Sequence, residues 1–578
     1  MQERNNLTGY PSIDKPWRKY NPLGSGEKPM PQRTIYEMLR EDNQHYPESI
    51  ALNYYGRRFT YGQLFEQIDA AARAYAALGV KKGDVVVVCT VNTPEMVYTL
   101  YALNRLGAVA NMVDPRTNVD GIREYILETD SRLVMTIDLA YPAIAKAIQG
   151  TKVEKVIIVS PADSLPPVTK ALYRLKNKAV RGGPEAISWK EFSAMGQEGI
   201  TPEYVPYEKD TCCVMAHTGG TTGFPKAVML SNDNLNAITH SYNYIDLPFA
   251  RGDKFFNDLP PFIVYGLSIP THTALCYGQE VVLYPVFDSQ NFPKVFAKYK
   301  PNHFCALPDH LKYLTLDKRI QKMDLSFMKV VAVGGDALDT ELERSVNDFL
   351  KAHNCRYQVM KGYGMTELAA VAVTTFGEAN AIGSVGIPMI VNTVKIVDTN
   401  TLEELPLGQS GEIWIGGPTV MLGYYNKPEA TAEIITTDEN GLRWIRTGDL
   451  GYLNQDGLLF HQGRIRRIYM TAYDGQPAKI FPMVVEDAIR KTGAVSACSV
   501  VGRKRKGSDY YEAVAFVVKQ NPAQEDAQLI GQLAASCAER VPTYMIPAEY
   551  RFVTELPHTP VGKVDFRALE KEAETERN

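Results

Sequence analysis

The chain is 578 residues long, more than one domain ordinarily holds. Hydrophobic residues make up 45% and charged residues 22%, which excludes a disordered or low-complexity chain and fits a globular protein with a large core. The net charge of −4 offers no electrostatic footprint for nucleic acid.

The opening stretch MQERNNLTGYPSID has no apolar h-region, so no secretory leader is expected. No apolar run approaches the ~20 residues that cross a bilayer. The cysteines (Cys89, Cys212, Cys213, Cys276, Cys305, Cys355, Cys498, Cys537) form no CxxC or zinc-like spacing. Most sit in apolar contexts, as small core residues do, and the expected compartment is a reducing cytoplasm. HExxH and GxSxG are absent, which removes support for zinc proteolysis and serine hydrolysis.

In chain order, residues 1 to about 30 are rich in Pro, Gly and Asn and are expected to wrap over the surface. Arg33 to Arg40 predicts a short helix. Phe59 to Leu64 opens another, with Thr60 as its N-cap. Asp84 to Val91 is a β-branched run. Thr93-Pro94 then supplies an N-cap with Pro at the first helical position, and Met96, Val97, Leu100, Leu103 and Leu106 keep helical spacing up to Gly107. Ala108 to Val113 is the next strand, so this unit predicts a parallel, right-handed crossover. Val168 to Arg181 holds Lys170, Arg174, Lys176, Lys178 and Arg181 and no acid, with Val168, Leu172, Leu175 and Ala179 on one side. A solvated helix docked on the body is expected there, with a helix lying on an anionic membrane as the alternative.

His217 to Ser231 reads HTGGTTGFPKAVMLS. Thr218, Gly219, Gly220, Thr221, Thr222 and Gly223 put close-approaching backbone N–H groups and hydroxyls in one tight loop, and Lys226 adds a positive charge. Such a loop makes an anion-binding concavity suited to a polyphosphate. It is not a Walker A loop, because Phe224 and Pro225 separate Gly223 from Lys226, so a P-loop kinase is the weakest candidate.

Strands are predicted at Val281 to Tyr284, Lys329 to Val333 and Tyr357 to Met360, with a helix at Leu342 to Leu350. Strands alternating with helices predict an α/β layered domain whose ligands bind at strand carboxyl ends. The turns at Gly334-Gly335-Asp336 and after Met360 lie at such ends. From Thr393 short strands and turns such as Asp456-Gly457 predict a β-rich subdomain. A compact α+β segment follows, with helices at 484–491 and 526–539 and strands at 497–501, 513–518 and 550–553. The expected division is 1–465 and 466–578, the charged tail from Ala568 being expected to fray.

Taken with partner motifs that follow in order, the loop resembles the phosphate-binding signature of the acyl-adenylate-forming superfamily, in a form similar to that of fatty acyl-CoA synthetases. The family usually has Ser at Gly219 and Gly at Ala227. The resemblance covers about residues 60 to 567. It implies a large N-terminal domain, a small mobile C-terminal lid, and a cleft between them.

By the same resemblance, Gly362 to Glu367 (GYGMTE: Gly362, Tyr363, Gly364, Met365, Thr366, Glu367) brings Tyr363 to adenine, Thr366 to the α-phosphate and Glu367 to Mg²⁺. A lone carboxylate suffices for an ion that shares its shell with phosphates. Gly334 to Leu338, with Gly335, Asp336 and Ala337, resembles the adenine-side turn. Asp449 of Thr447-Gly448-Asp449 resembles the ribose site, and Arg464 of Gly463-Arg464 reaches ribose or phosphate. The usual Lys-Asp hinge stands here as Arg466-Arg467, and the loop from Tyr469 to Phe481 is longer than usual. Leu556 to Val564 resembles the closing motif, with Lys563 as the catalytic lysine beside Thr366 and Lys226.

Leu259 to Ser268 resembles the acid-pocket segment. Amino-acid-activating members place Asp where Ile263 stands, and a buried Ile cannot pair a charge. Ile263, Val264, Tyr265, Leu267 and Gly335 therefore predict an aliphatic or aryl acid, such as a medium- or long-chain fatty acid. The same apolar residues also fit a packed core.

The resemblance implies an ATP-dependent ligase that makes acyl-AMP, releases pyrophosphate and passes the acyl group to coenzyme A. Two alternatives stay open: a ligase loading a carrier-protein thiol, and a nucleotide-binding protein without catalysis. The expected partners are the acid, ATP and coenzyme A, without nucleic acid and with peripheral membrane contact as an option. No oligomeric state is specified.

Overall fold

A computed structural model describes residues 7–21, 29–177, 180, 182–196, 201–218, 225–474, 476–558 and 564–575. The fold is α/β, with two large layered sheets, a β-rich sheet and a small α+β region at the C-terminal end.

The first sheet has eight strands, in the order Gly423–Tyr424, Ala227–Ser231, Cys212–His217, Val109–Val113, Val85–Cys89, Leu133–Ile137, Lys155–Val159, Ala186–Ser188. Val85–Cys89 and Val109–Val113 pair in parallel across the Pro94–Arg105 helix, as their spacing predicts. Thr93 caps that helix by accepting from the Met96 N–H, and Gly107 leaves it at φ +66°. Thr60 caps Tyr61–Ala77 in a reciprocal capping box with Gln63.

One buried group on the Pro94–Arg105 helix carries a testable pH dependence. Burial pushes the Glu95 carboxyl up to about 7, although Ser164 donates to it at 2.5 Å. The folded protein thus holds this proton at pH values where the unfolded chain, near its ordinary value, has released it. Its contribution to stability is complete below the unfolded value and is lost as pH rises toward 7. Glu95→Gln is expected to match the parent protein near pH 4 and to be more stable above pH 7, by on the order of 3 kcal/mol. Urea unfolding of both across that range checks it, and parallel curves would refute it.

The second sheet has nine strands, in the order Ile387–Pro388, Val373–Thr374, Met360–Tyr363, Val330–Val333, His303–Ala306, Lys254–Asn257, Glu280–Leu283, Ile50–Tyr54, Arg57–Thr60. The run from Met360–Tyr363 to Ile50–Tyr54 is parallel, and the edges are antiparallel. The strand expected at 357–360 instead runs Met360–Tyr363. The physical reason is Lys361, whose charge reads as a strand end. Its side chain is buried, ion-paired with Glu343 on the neighbouring helix, and donates to the Ala381 carbonyl at 2.8 Å.

The β-rich sheet joins Thr393–Val397, Gly411–Gly416, Arg443–Leu453, Ile435–Thr437 and Leu459–Arg464. The N-terminal segment straps over it. Trp17 is buried, Ser12 bonds Glu404, and Lys19 pairs with Asp456 at 2.5 Å.

From Tyr469 the chain builds a separate core. The expected long loop at 469–481 is an antiparallel hairpin, Tyr469–Tyr473 with Gln476–Ile480. Val495–Lys504, Tyr511–Lys519 and Glu549–Phe552 form a three-stranded sheet beside helices Pro482–Arg490 and Asp526–Arg540. The tail does not fray at Ala568. Phe566–Ala573 is a helix that buries Leu569 and Ala573, and the buried Arg551 donates to the Glu572, Ala573 and Thr575 carbonyls at its end.

The basic segment is also different from expectation. It is helical over Pro167–Lys176, but no residue of that helix is buried and its apolar side is not docked on the body. Among the described residues, no helix is long and apolar enough to cross a membrane.

Candidate active site

Strand Lys254–Asn257 lies where the order of the second sheet reverses. Its successor Glu280–Leu283 pairs on one side and His303–Ala306 on the other. Crevices form outside the carboxyl ends of strands at such a switch point. The segment after Asn257 begins here, and Leu307, Gly334 and Gly364 follow the ends of the next three strands.

Tyr265 occupies the space over the Gly334 turn. A Cβ on Gly334 would lie 3.5 Å from its ring, and its hydroxyl is 3.5 Å from the Ala332 carbonyl. Burial, with Cys305 next to it, pushes that hydroxyl far above the phenol range. Gly335 has φ +80°, and a Cβ there would meet Leu307 Cδ2 at 2.7 Å, so the turn demands glycine. Gly335, Asp336 and Ala337 are exposed, and Asp336 accepts from the Ala337 N–H at 2.8 Å. Val264 and Leu267 belong to the main core, with Ile263 half-buried against it. Of these apolar residues, Tyr265 is the one set against the turn. Behind it, Asp258 and His310 form a buried pair at 3.2 Å that the sequence motifs do not mark.

The next strand carries Gly362 and Tyr363 into a tight turn. A Cβ on Gly364 would lie 2.1 Å from the Ala370 carbonyl oxygen. Met365 leads into a single 3₁₀ turn, Thr366–Leu368, followed by Ala369 and Ala370 at φ +55° and +106°. Such positive φ values cost about 1–3 kcal/mol each and persist where the surroundings impose them. The turn leaves Thr366 half-exposed and holds Glu367 nearly buried.

Tyr424 links Glu367 to the loop. Its hydroxyl donates to Glu367 Oε1 at 2.7 Å, and Lys226 Nζ stands 4.6 Å from the centre of its ring. Tyr424 thereby stands between Lys226 and Glu367. The loop base is closed by two hydrogen bonds, Thr218 N–H to the Lys226 carbonyl at 3.0 Å and Lys226 N–H to Thr218 Oγ1 at 3.1 Å. Gly219, Gly220, Thr221, Thr222 and Gly223 lie outside the described residues, as does Lys563. At the foot of the loop, His217 bonds Asn111 at 2.7 Å, and burial, aided by the charge of Lys427, pushes its ring down to about 3.

Asp449 and Arg464 face each other across an antiparallel pair. Arg464 Nε lies 2.9 Å from Asp449 Oδ1, Tyr363 donates to Oδ2 at 2.7 Å, and His461 Nε2 is 3.7 Å from Oδ1. Burial alone would raise the Asp449 carboxyl, but His461, Arg464 and Tyr363 outweigh it and hold it below its ordinary value. Asp449 holds Arg464 charged, with Tyr363 and Glu367 also contributing after the opposing cost of burial. Tyr363 and Glu367 stand on one turn, so the Lys226–Tyr424–Glu367 contacts and the Tyr363–Asp449–Arg464 contacts form one connected cluster. Asp449 Oδ1 is buried without an aligned hydrogen bond, so it can accept one from a ligand hydroxyl. Tyr424 and His461 have no sequence signal. The first reaches Glu367 from 57 residues away, and the second depends on cross-strand register.

Arg466 and Arg467 stand at the expected hinge and meet different neighbours. Arg466 acts electrostatically on Tyr424. Arg467 donates to Glu486 at 2.8 Å and to the Val500 carbonyl at 3.2 Å, and stacks on Phe566 at 3.5 Å. The C-terminal region leans on the turn after Gly335 through Thr340 with Asp487 at 3.4 Å and Arg490 with Asp339 at 3.8 Å. No group of three metal-ligating side chains exists among the described residues. Glu367 is a lone carboxylate fixed by Tyr424, which fits a cation that takes its other ligands from phosphate and water.

Comparison with known proteins matches residues 39–425 to the AMP-binding enzyme family model and residues 484–563 to the AMP-binding enzyme C-terminal domain model. The chain is 30% identical to a long-chain-fatty-acid–CoA ligase of Bacillus subtilis, over 97% of this chain and 98% of the relative. It is 27% identical to a protein of the same name from Escherichia coli O6:H1, over 97% and 99%. In fold it is similar to an anthranilate CoA ligase solved with anthranoyl-AMP, with a TM-score of 0.78 and 21% identity over 94% of this chain and 98% of that one.

Proposed function

The chain belongs to the AMP-binding enzyme family, and on that premise we propose that it joins an apolar carboxylic acid to coenzyme A by way of acyl-AMP. The observation that supports this is the connected cluster in which Tyr424 links Lys226 to Glu367 while Arg464 pairs with Asp449.

In the first step a carboxylate oxygen attacks the α-phosphorus of ATP and the bond to pyrophosphate breaks, its electron pair leaving with pyrophosphate. Two anions must approach, so the protein's contribution is positioning and charge balance. Asp449 accepts from the ribose hydroxyls at its free lone pairs, Arg464 holds that carboxylate in place, and Tyr363 lies along the base. Thr218, the 219–223 loop and Lys226 hold the phosphates, and Thr366 contacts the α-phosphate. Lys563 neutralises the oxygen that attacks. Glu367 would hold Mg²⁺, which when bound neutralises charge on the departing phosphates. In the second step the thiol sulfur attacks the acyl carbon, AMP departs, and the thiol proton passes to solvent.

The two regions divide at 465/466. Arg464 is fastened to the large side through Asp449, and Arg467 to the small side through Glu486 and Phe566. The small region is proposed to turn about this junction between the steps, a gating motion common in multistep enzymes. The doubled arginine and the Tyr469–Ile480 hairpin favour one second reading, a carrier-protein thiol as acceptor in place of coenzyme A.

The substrate is proposed to be a fatty or aryl acid, because Ile263 offers no partner for an ammonium group. Two relatives carry long-chain-fatty-acid names, and the structural neighbour acts on anthranilate. A panel of free acids with ATP and coenzyme A, read by AMP release, tests the proposal. Failure of every acid would refute the ligase reading. Acyl-AMP formed without consumption of coenzyme A would select the carrier-protein acceptor. Tyr265→Ala, which opens the space over Gly334, is expected to shift relative kcat/KM toward bulkier acids by about tenfold. An unchanged ranking would remove Tyr265 from the pocket.

A further inference from the structure

The Pro167–Lys176 helix stands the opposite way round from an ordinary surface helix. At about 100° per residue, Lys170 and Tyr173 fall on one side. They are the helix's only partly buried positions: Tyr173 packs on the main core, and Lys170 donates to the Asp163 carbonyl at 2.8 Å. Val168, Leu172 and Leu175 fall about 130–170° from the middle of that side. They are 74%, 54% and 83% exposed. An amphipathic helix on a globular protein normally turns its apolar stripe inward. Here the polar side and one tyrosine touch the body, and the aliphatic stripe faces outward.

The charges are arranged around that stripe. Arg174 and Lys176 are exposed on its two flanks, and the helix has no acidic residue. A further exposed aliphatic belongs to a segment near the body side of the helix. Asp138 acts electrostatically on Tyr173, and its neighbour Leu139 is 75% exposed.

We propose that this helix docks the protein on an anionic lipid surface, with Val168, Leu172 and Leu175 in the acyl boundary and Arg174 and Lys176 at the headgroup phosphates. Such a helix lies in the interface with its apolar face shallowly buried, held by apolar area together with attraction to anionic lipid. A protein partner fits less well. The stripe is one helix wide and has no outward aromatic anchor, whereas a stable protein interface needs about 1,000 Å² or more and is rich in aromatics. A bilayer needs no matching groove.

The experiment floats the full-length protein with phosphatidylcholine vesicles that either contain or lack phosphatidylglycerol. The parent protein is expected to bind the anionic vesicles, to bind the neutral ones far less, and to come off as salt is raised. Leu172→Gln with Leu175→Gln keeps good helix formers in place and is expected to lower partition about tenfold or more. Arg174→Glu with Lys176→Glu is expected to do the same on anionic vesicles only. AMP release with a water-soluble acid should be equal in all three proteins, which shows that the variants are folded. No binding by the parent protein, equal binding to both lipid mixtures, or equal partition of parent and variants would overturn the proposal. The outcome is independent of which acid the cleft accepts.

Discussion

Asp449→Ala is expected to raise the ATP concentration needed for half-maximal acid-dependent pyrophosphate exchange about a hundredfold. Hydrogen bonds to a charged acceptor contribute about 1.5–3 kcal/mol each, and a ribose offers two hydroxyls. The carboxylate is 3% exposed, fixed by Tyr363 and Arg464, and held below its ordinary pKa, so it stays ionised across the neutral range. Truncation also leaves the Arg464 charge without its counterion, so thermal unfolding must be measured alongside exchange. Asp449→Asn retains the shape and an acceptor oxygen and should fall between parent and Ala. An Ala variant that folds normally with an unchanged ATP requirement would place the sugar elsewhere.

Lys563→Ala is expected to have the other large effect, slowing pyrophosphate exchange by about 10²–10³-fold, the usual cost of removing one group aimed at developing charge. ATP binding should be nearly unchanged, because Lys226 and Arg464 remain to meet the phosphates. Thioester formation from preformed acyl-AMP should be largely preserved, since that step no longer brings two anions together. Loss of both half-reactions in equal measure would mean that Lys563 supports the fold or the thiol site and does not assist adenylation.

The sequence made local structure legible wherever the deciding chemistry was local. Thr60 and Thr93 announce helix starts because a cap is a contact three residues long. The α/β architecture follows from strands alternating with helices, and motif order singles out Asp449, Arg464 and Glu367 without saying which side chains hold them. What stayed hidden depended on distant partners. Lys361 continues a strand because Glu343 waits on a helix behind it. Tyr424 matters because it spans Glu367 and Lys226, which no local pattern encodes. The Pro167–Lys176 helix is amphipathic in sequence, but periodicity cannot say whether the stripe turns in or out. The stretch from Ala568, which includes most of the Phe566–Ala573 helix, reads as a fraying tail because its acidic and basic residues conceal Leu569 and Ala573.

That last helix has a consequence for how short the protein can be. The guanidinium of Arg551 is 2% exposed and spends its N–H groups on carbonyls at 572, 573 and 575 and on the Glu549 carboxylate. Deleting everything after residue 565 would strip Arg551 of three carbonyl acceptors, leaving Glu549 as the partner of a cation newly opened to water, and would uncover the apolar side chains against which Leu569 and Ala573 pack. Residues 566–575 therefore act as a plug, and removing them would loosen the core of the small region rather than tidy its edge.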